Sequence, residues 1–381
     1  MLPKKLQHKI NQRKDDQSLR QLGASSNRID FSSNDYLGFS KSEIIFNQAH
    51  QYLINHNIIQ NGATGSRLLS GNHSLYQTVE QQVCTFHNSE AALIFNSGYD
   101  ANLGFFSCVP QRNDIILYDE FCHASIRDGI TMSNAKSIKF KHNDLIHLEH
   151  HLNHYQEALK DIEIYIVTES VFSMDGDSPD LKLLSQISKA HNAKLIIDEA
   201  HAIGIFGNQG NGLISELNLE SDIFARIITF GKALGCHGAA VLGSKALKTY
   251  LTNFSRPFIY TTALPPHALS TIKLAYDTLQ NQDLKDRSKL QHNIVFFKSE
   301  LKRLDLQHVF IDSYSAIHCC IISGNESVKQ AATELQDCGF DVKPILSPTV
   351  PKGKERLRFC LHAYNTEKEI SEVLFLLTTF V

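Results

Sequence analysis

The eight cysteines of this 381-residue chain contain no CxxC pair. That argues against a zinc knot or a thiol–disulfide redox motif and favours reduced thiols. No apolar run approaches the length that would cross a bilayer. The opening MLPKKLQHKINQRKDD is polar, with no apolar run behind it. The expectation is therefore no signal peptide, no membrane partner and a cytoplasmic location. A net charge of -3 and a pI near 6.7 offer no basic surface to a nucleic acid. Internal repeats and low-complexity linkers are missing too. What is present is enough for a core: 42% of residues are apolar and 20% charged. The length suits a large domain with one or two smaller ones.

One stretch organises the rest, Ile227 to Gly243, IITFGKALGCHGAAVLG. An apolar strand runs into Thr229, and Lys232 follows in a glycine-rich turn. A lysine tucked into such a turn loses solvation. Once neutral, its amine is a good imine former. Upstream, Leu195 to Gly204 reads LIIDEAHAIG, a second apolar strand that ends in Asp198, with His201 three residues on. A lysine and an aspartate, each at the end of an apolar strand, suit a cofactor with a carbonyl and a ring nitrogen. Pyridoxal phosphate has both.

Short apolar runs over 91–95, 114–118, 137–140, 162–168, 195–198, 225–230 and 239–243 predict strands. Amphipathic patterns over 74–87, 144–159 and 181–191 predict helices between them. Strand–helix alternation of this kind indicates an α/β fold with a buried, mainly parallel sheet. Polar groups recur at the carboxyl ends of the strands, where open α/β sheets place their ligands. One is the step Asn96-Ser97-Gly98-Tyr99, a weak phosphate signal because it lacks the full glycine pattern. The loop over 61–72, NGATGSRLLSGN, is expected to be packed because Leu68 and Leu69 sit in its middle. Ser74 can cap the helix that follows. His147, His150, His151 and His154 have metal-compatible spacing on one helix, but they lie off its apolar stripe and no cysteine completes the set, so no metal is expected. A first helix is predicted over 4–22, with a breaker cluster over 23–27. Beyond Pro265-Pro266 come helices near 268–279, 288–303, 326–337 and 366–377 and strands near 317–322, 340–345 and 356–361. The expected division is an arm over 1–40, a large domain over 41–270 and a small α+β domain over 271–381.

Nine segments carry a family resemblance: SSNDYLG, GATGSRLLSGN, FNSGYDAN, DEFCHASIRDG, ESVFSMDGD, IIDEAHAIGIFG, TFGKALG, IYTTALPP and RLRFCLHAYNT. In this order, over nearly the whole chain, they resemble the α-oxoamine synthases, pyridoxal-phosphate enzymes of fold type I. The resemblance implies the aspartate aminotransferase-like architecture: a large, mainly parallel seven-stranded sheet domain and a small α+β C-terminal domain. TFGKALGCHGAAVLGS and SPTVPKGKERLRFCLHAYN are similar in detail to the branch that joins L-alanine to a pimeloyl thioester, of coenzyme A or acyl carrier protein, with loss of CO2. Other branches, such as the glycine C-acetyltransferase and serine palmitoyltransferase types, and an inactive homologue acting as a regulatory partner, remain open. One departure is Asn61-Gly62, where many members have His-Gly.

By this resemblance Lys232 joins the cofactor aldehyde and later acts as base at the substrate Cα. Asp198 pairs with the ring nitrogen, and His201 and Ser173 lie near the ring oxygen. His123 resembles the histidine stacked on the ring, although sequence alone leaves a structural histidine equally open. Gly98, Tyr99 and Thr229 meet the phosphate, with Thr261 or Thr262 reaching it from a partner subunit, which implies a homodimer. Arg358 matches the arginine that holds the substrate carboxylate, and Arg356, two residues earlier, is read as its surface counterpart. Asn34 and Tyr36 line the substrate side, and Arg20 lies toward the far end of the acyl chain. Cys236 and His237 are read as turn or packing residues.

Overall fold

Runs such as Ile164–Glu169 and Lys194–Asp198 have no polar face to turn to water, so their strands must be covered on both sides. The computed structural model describes residues 2–20, 22–23, 27–158, 162–281 and 285–381. The side chains of residues 156–158 are also outside the description, as are Leu159 of the histidine-bearing helix and part of the expected breaker cluster at 23–27.

Seven strands make the main sheet: β1 (Ala91–Phe95), β2 (Ile115–Asp119), β3 (Lys136–Phe140), β4 (Ile164–Glu169), β5 (Lys194–Asp198), β6 (Ala225–Thr229) and β7 (Ala239–Gly243). Their order is β1-β7-β6-β5-β4-β2-β3. All neighbours are parallel except β7, which runs antiparallel to β1 and β6. The two-residue period of a strand sends alternate side chains to two separate cores. Ile116, Val167, Ile196 and Ile227 pack with Phe105, Phe106 and Ile126. Ile115, Leu117, Ile166 and Ile197 pack with Leu148, Leu152 and Leu184.

The described residues group into two compact units. The larger comprises Asp35–Phe172 and Ser178–Arg287 and contains the seven-stranded sheet. The smaller comprises Met1–Asn34, Ser173–Asp177 and Ser288–Val381. Within the smaller unit, β8 (Ile317–Ile321), β9 (Lys343–Ile345) and β10 (Arg356–Cys360) form an antiparallel sheet with β10 in the middle. Ser173–Asp177 is stitched into this unit at Gly176, whose carbonyl accepts from Ser313 Oγ at 2.8 Å and Ser315 Oγ at 2.9 Å. Gly176 has φ +79°, and an added Cβ would lie 2.1 Å from the Ile317 carbonyl oxygen, so no other residue fits.

Several expectations need correction. The first helix spans only Lys4–Asp15, because the chain turns out through Gln17 at φ 52°. Ser74 is the first helical residue, and His73 holds the cap position without a side-chain bond. The single strand predicted over 340–345 is two strands in different sheets: Phe340–Asp341 pairs with Ile29–Asp30, and β9 pairs with β10. Buried Val342 separates them, its N–H turned back to the Phe340 carbonyl. Leu68 and Leu69 are 50% and 85% exposed, so they do not pack the loop; Arg67, paired with Glu80, and buried Gly71 hold it instead. Helices Glu43–Asn55, Ala124–Met132 and Lys245–Phe254 were not legible. The last buries only Leu247 and Leu251, too thin a stripe to read. No helix among the described residues is long and apolar enough to cross a membrane.

Candidate active site

The site is built at the carboxyl ends of β5 and β6, which lie side by side. β5 ends in Asp198, only 6% exposed. Its Oδ1 accepts the Ala200 N–H at 2.9 Å, and its Oδ2 accepts Asn102 Nδ2 at 2.8 Å. Glu199 turns the other way and pairs with Arg226 of β6 in a buried ion pair, Nε donating at 2.8 Å. The pair clamps the turn: Glu199 Oε1 also takes the Ile214 N–H, and Arg226 donates to the His87 and Asn211 carbonyls.

β6 delivers Lys232 three residues after its last residue, Thr229. The turn is closed by three backbone bonds: Phe230 N–H to the Gly238 carbonyl, Cys236 N–H to Phe230, and Gly235 N–H to Lys232. Gly235 has φ +61°, and a Cβ there would lie 2.2 Å from the Ser40 nitrogen. The glycine therefore allows the lysine turn to sit against the backbone of residues 39 and 40. Lys232 itself is half-buried. Burial pushes the neighbouring Cys236 thiol up to about 12, and the thiol donates to the Leu234 carbonyl, so it packs the turn as an uncharged group. His237 is exposed.

Helix Gly98–Phe106 begins at the end of β1 and is capped by Ser97, whose Oγ accepts the Asp100 N–H at 3.0 Å. The N–H groups of Gly98 and Tyr99 fall in the first turn, where no helical carbonyl can reach them. An added Gly98 Cβ would lie 3.8 Å from Thr229 Oγ1, so glycine leaves the space between this helix start and Thr229 open. The Thr229 hydroxyl donates to the Gly238 carbonyl at 3.2 Å. The Tyr99 phenol bonds Asp128. Asn96 Nδ2 ties down Thr261 Oγ1 at 2.9 Å and the Thr262 carbonyl at 2.8 Å.

Two histidines complete the larger unit's set. His201, 4% exposed, shares a 2.7 Å bond between its Nδ1 and the Tyr36 hydroxyl. Tyr36, expected on the substrate side, is fully buried, with this hydroxyl turned to His201. His123 precedes helix Ala124–Met132. Its N–H donates to Glu169 Oε1 at 2.6 Å, and its Nδ1 lies 2.8 Å from Ser125 Oγ. Partial burial lowers the His123 pKa, with Lys232 and Arg127 acting in the same direction and Asp198 and Asp128 against it. Burial, helped by the Asp198 charge, pushes the Glu169 carboxyl up to about 8.

In the smaller unit, β10 carries Arg358, 7% exposed. Its Nε donates to the Ser173 carbonyl at 2.7 Å, and its Nη2 donates to Asn34 Oδ1 at 2.9 Å. These bonds bring Arg358 and Asn34, both expected around a substrate, together with Ser173, expected near the ring oxygen. Arg356, two positions earlier and expected at the surface, is buried and paired with Asp175. Arg20 is exposed in an irregular segment. Among the described residues, no group of three or more His, Cys, Asp or Glu side chains is placed to hold a metal. Asn102, Ser125, Glu169 and the Glu199–Arg226 pair belong to this constellation and were not assigned from sequence. Each lies in or beside a quoted motif, and an arginine inside the apolar run ARIIT was the clearest available signal.

The sequence profile of the aminotransferase class I and II family matches residues 26–375. An 8-amino-7-oxononanoate synthase from Emericella nidulans is 38% identical, covering 93% of this chain and 90% of its own length. Among solved structures, a serine palmitoyltransferase variant from S. paucimobilis with a bound pyridoxal phosphate–myriocin aldimine superposes with a TM-score of 0.88. It is 26% identical and covers 99% of this chain and 96% of its own. An 8-amino-7-oxononanoate synthase from Francisella tularensis superposes with a TM-score of 0.77 at 30% identity, covering 93% and 98%. The chain belongs to the class I and II aminotransferase family of fold-type I pyridoxal-phosphate enzymes, within its α-oxoamine synthase branch and related to the 8-amino-7-oxononanoate synthases.

Proposed function

We propose that this chain condenses an L-amino acid with an acyl thioester, releasing CO2 and free thiol, on pyridoxal phosphate. The observation that carries the reading is the pairing of buried Asp198 at the end of β5 with Lys232 in the turn after β6. The donor set fits the cofactor: an amine for its aldehyde, a carboxylate for its ring nitrogen, and an open helix start for its phosphate. When bound, pyridoxal phosphate supplies an aldehyde that takes up amines and a protonated ring that draws electrons from the substrate Cα. Asp198 keeps the proton on the ring nitrogen, and Asn102 and the Ala200 N–H hold Asp198 in place. Lys232 would hold the aldehyde, and its amine, when free, would take the Cα proton. Gly98, Tyr99 and Thr229 receive the phosphate, with Thr261 or Thr262 serving the partner's site. By the resemblance, His201 and Ser173 would serve the ring oxygen. Arg358 grips the substrate carboxylate with its guanidinium fork, steadied by Asn34. Arg20 serves the far end of the acyl chain.

Two substrate pairs have support. The curated relatives named 8-amino-7-oxononanoate synthase favour L-alanine with a pimeloyl thioester, and hence biotin biosynthesis. The superposition favours another α-oxoamine synthase, because the serine palmitoyltransferase fits at 0.88 against 0.77 for the oxononanoate synthase. On structural likeness the second reading stands ahead of the first. Release of labelled CO2 from carboxyl-labelled alanine, serine and glycine, each with pimeloyl-, palmitoyl- and acetyl-coenzyme A, separates them. Release with alanine and pimeloyl thioester alone supports the first reading, and release with serine and palmitoyl thioester supports the second. No thioester-dependent release from any pair would end the condensation proposal.

The active form is further proposed to be a homodimer. Ile59, Leu69 and Tyr260 are 88%, 85% and 73% exposed, which suits burial against a second copy.

A further inference from the structure

Asn102, which holds Asp198, and Ser125 lie in the motifs FNSGYDAN and DEFCHASIRDG. Both are buried, at 2% and 1% exposure. Asn102 Nδ2 lies 2.8 Å from Asp198 Oδ2 and 3.1 Å from Ser125 Oγ. Ser125 Oγ in turn lies 2.8 Å from His123 Nδ1. We propose that Asn102 and Ser125 are positioning residues that hold His123 as the neutral imidazole, with its proton on Nε2. The structural part stands on these bonds alone. Its use in catalysis rests on the pyridoxal-phosphate reading above.

The direction of every bond follows from proton counting. The Asp198 carboxylate only accepts, so the Asn102 atom facing it is the amide nitrogen. That nitrogen has two protons, one for Asp198 and one for Ser125 Oγ. The serine oxygen therefore accepts from Asn102, and its own proton is left for His123 Nδ1. The Ser125 backbone N–H also donates to Nδ1, at 3.2 Å. A backbone N–H cannot accept, so Nδ1 must be the unprotonated nitrogen. The orientation of Asn102 costs something elsewhere: its Oδ1 is buried without a hydrogen-bond partner among the described residues. The amide is turned to bridge two acceptors rather than to satisfy its own carbonyl.

Burial lowers the His123 pKa and so already favours the neutral ring. Asp198 and Asp128 favour a protonated ring, whereas Lys232 and Arg127 oppose it. Glu169 takes the His123 backbone N–H. The two donors at Nδ1 act in the same direction as burial and fix which nitrogen keeps the proton. His123 then offers one N–H, at Nε2, to an anionic substrate oxygen. It can serve neither as a base through Nδ1 nor as a fixed cation. Proton transfer at Cα is left to Lys232.

The test uses the full chain labelled with 15N-histidine, with and without pyridoxal phosphate. Long-range proton–nitrogen spectra read the tautomer, and His123→Gln identifies the His123 signal by its loss. The expected result is protonated Nε2 and unprotonated Nδ1 near neutral pH. Ser125→Ala and Asn102→Ala should each raise the titration midpoint of His123, by about half a unit to one unit, because each weakens donation to the neutral form. Ser125→Thr, which keeps the hydroxyl, should return it toward the native value. A proton on Nδ1 in the native chain, or midpoints unmoved in the variants, would overturn the proposal. If a variant fails to fold, the native spectrum still decides. If the chain never takes up the cofactor, the functional reading fails while the tautomer remains measurable.

Discussion

Arg358 Nη2 donates to Asn34 Oδ1 at 2.9 Å, although 324 residues separate them in sequence. With Nε bonded to the Ser173 carbonyl and Nη1 to Cys360 Sγ at 2.9 Å, all three guanidinium nitrogens are oriented by protein. Arg358→Lys keeps the charge and loses the fork. The KM for the amino acid should rise about ten- to hundredfold, equivalent to roughly 1.4–2.8 kcal/mol. kcat should change less. Asn34→Ala should move KM in the same direction by a smaller factor. Steady-state kinetics with the amino acid varied check both.

The Glu199–Arg226 pair is buried, and each partner bonds backbone groups as well. Arg226→Met strands a carboxylate in the interior. The expected loss is about 3–5 kcal/mol of unfolding free energy, read from urea denaturation. Glu199→Gln added to Arg226→Met should recover part of that loss, since the charge left behind is then gone.

Glu169 gives a pH dependence with a definite sign. Its carboxyl is raised from 4.5 to about 8 in the folded chain, so the folded state binds a proton more tightly than the unfolded one. That contribution is fully present below about 4.5 and is lost progressively as pH rises toward 8. Glu169→Gln removes the titration. Relative to the native chain, the variant should therefore be more stable at pH 8 than at pH 5. Denaturation midpoints at the two pH values measure it, and an unchanged difference would contradict the assignment.

Leu69 is 85% exposed in a loop whose sequence reads as packed. If a second copy covers it, Leu69→Asp should shift the proposed homodimer toward monomer in sedimentation experiments. The unfolding free energy of the monomer should change by no more than about 0.5 kcal/mol, as for an ordinary surface substitution.

The large sheet was legible because its strands are apolar on both faces and end in polar residues, as at Ile197-Asp198 and Ile228-Thr229. Helix Lys245–Phe254 was not, because its buried stripe is two leucines. Arg356 looked like a surface residue because Asp175, its partner, is 181 positions away in sequence. The same limit applies to Asn102 and Ser125. Their motif positions are visible, but their roles depend on bonds to Asp198 and His123 that only the folded chain brings within 3.2 Å. Tyr36 followed the same pattern, since its partner is His201.

The central claim is that the Lys232 amine holds the cofactor aldehyde, and borohydride tests it most directly. The chain is supplied with pyridoxal phosphate, reduced, digested and mapped by mass. The account predicts visible absorbance before reduction and a pyridoxyl phosphate adduct on the peptide containing Lys232, absent in Lys232→Ala. A colourless protein with no adduct, or an adduct only on other lysines, would contradict it.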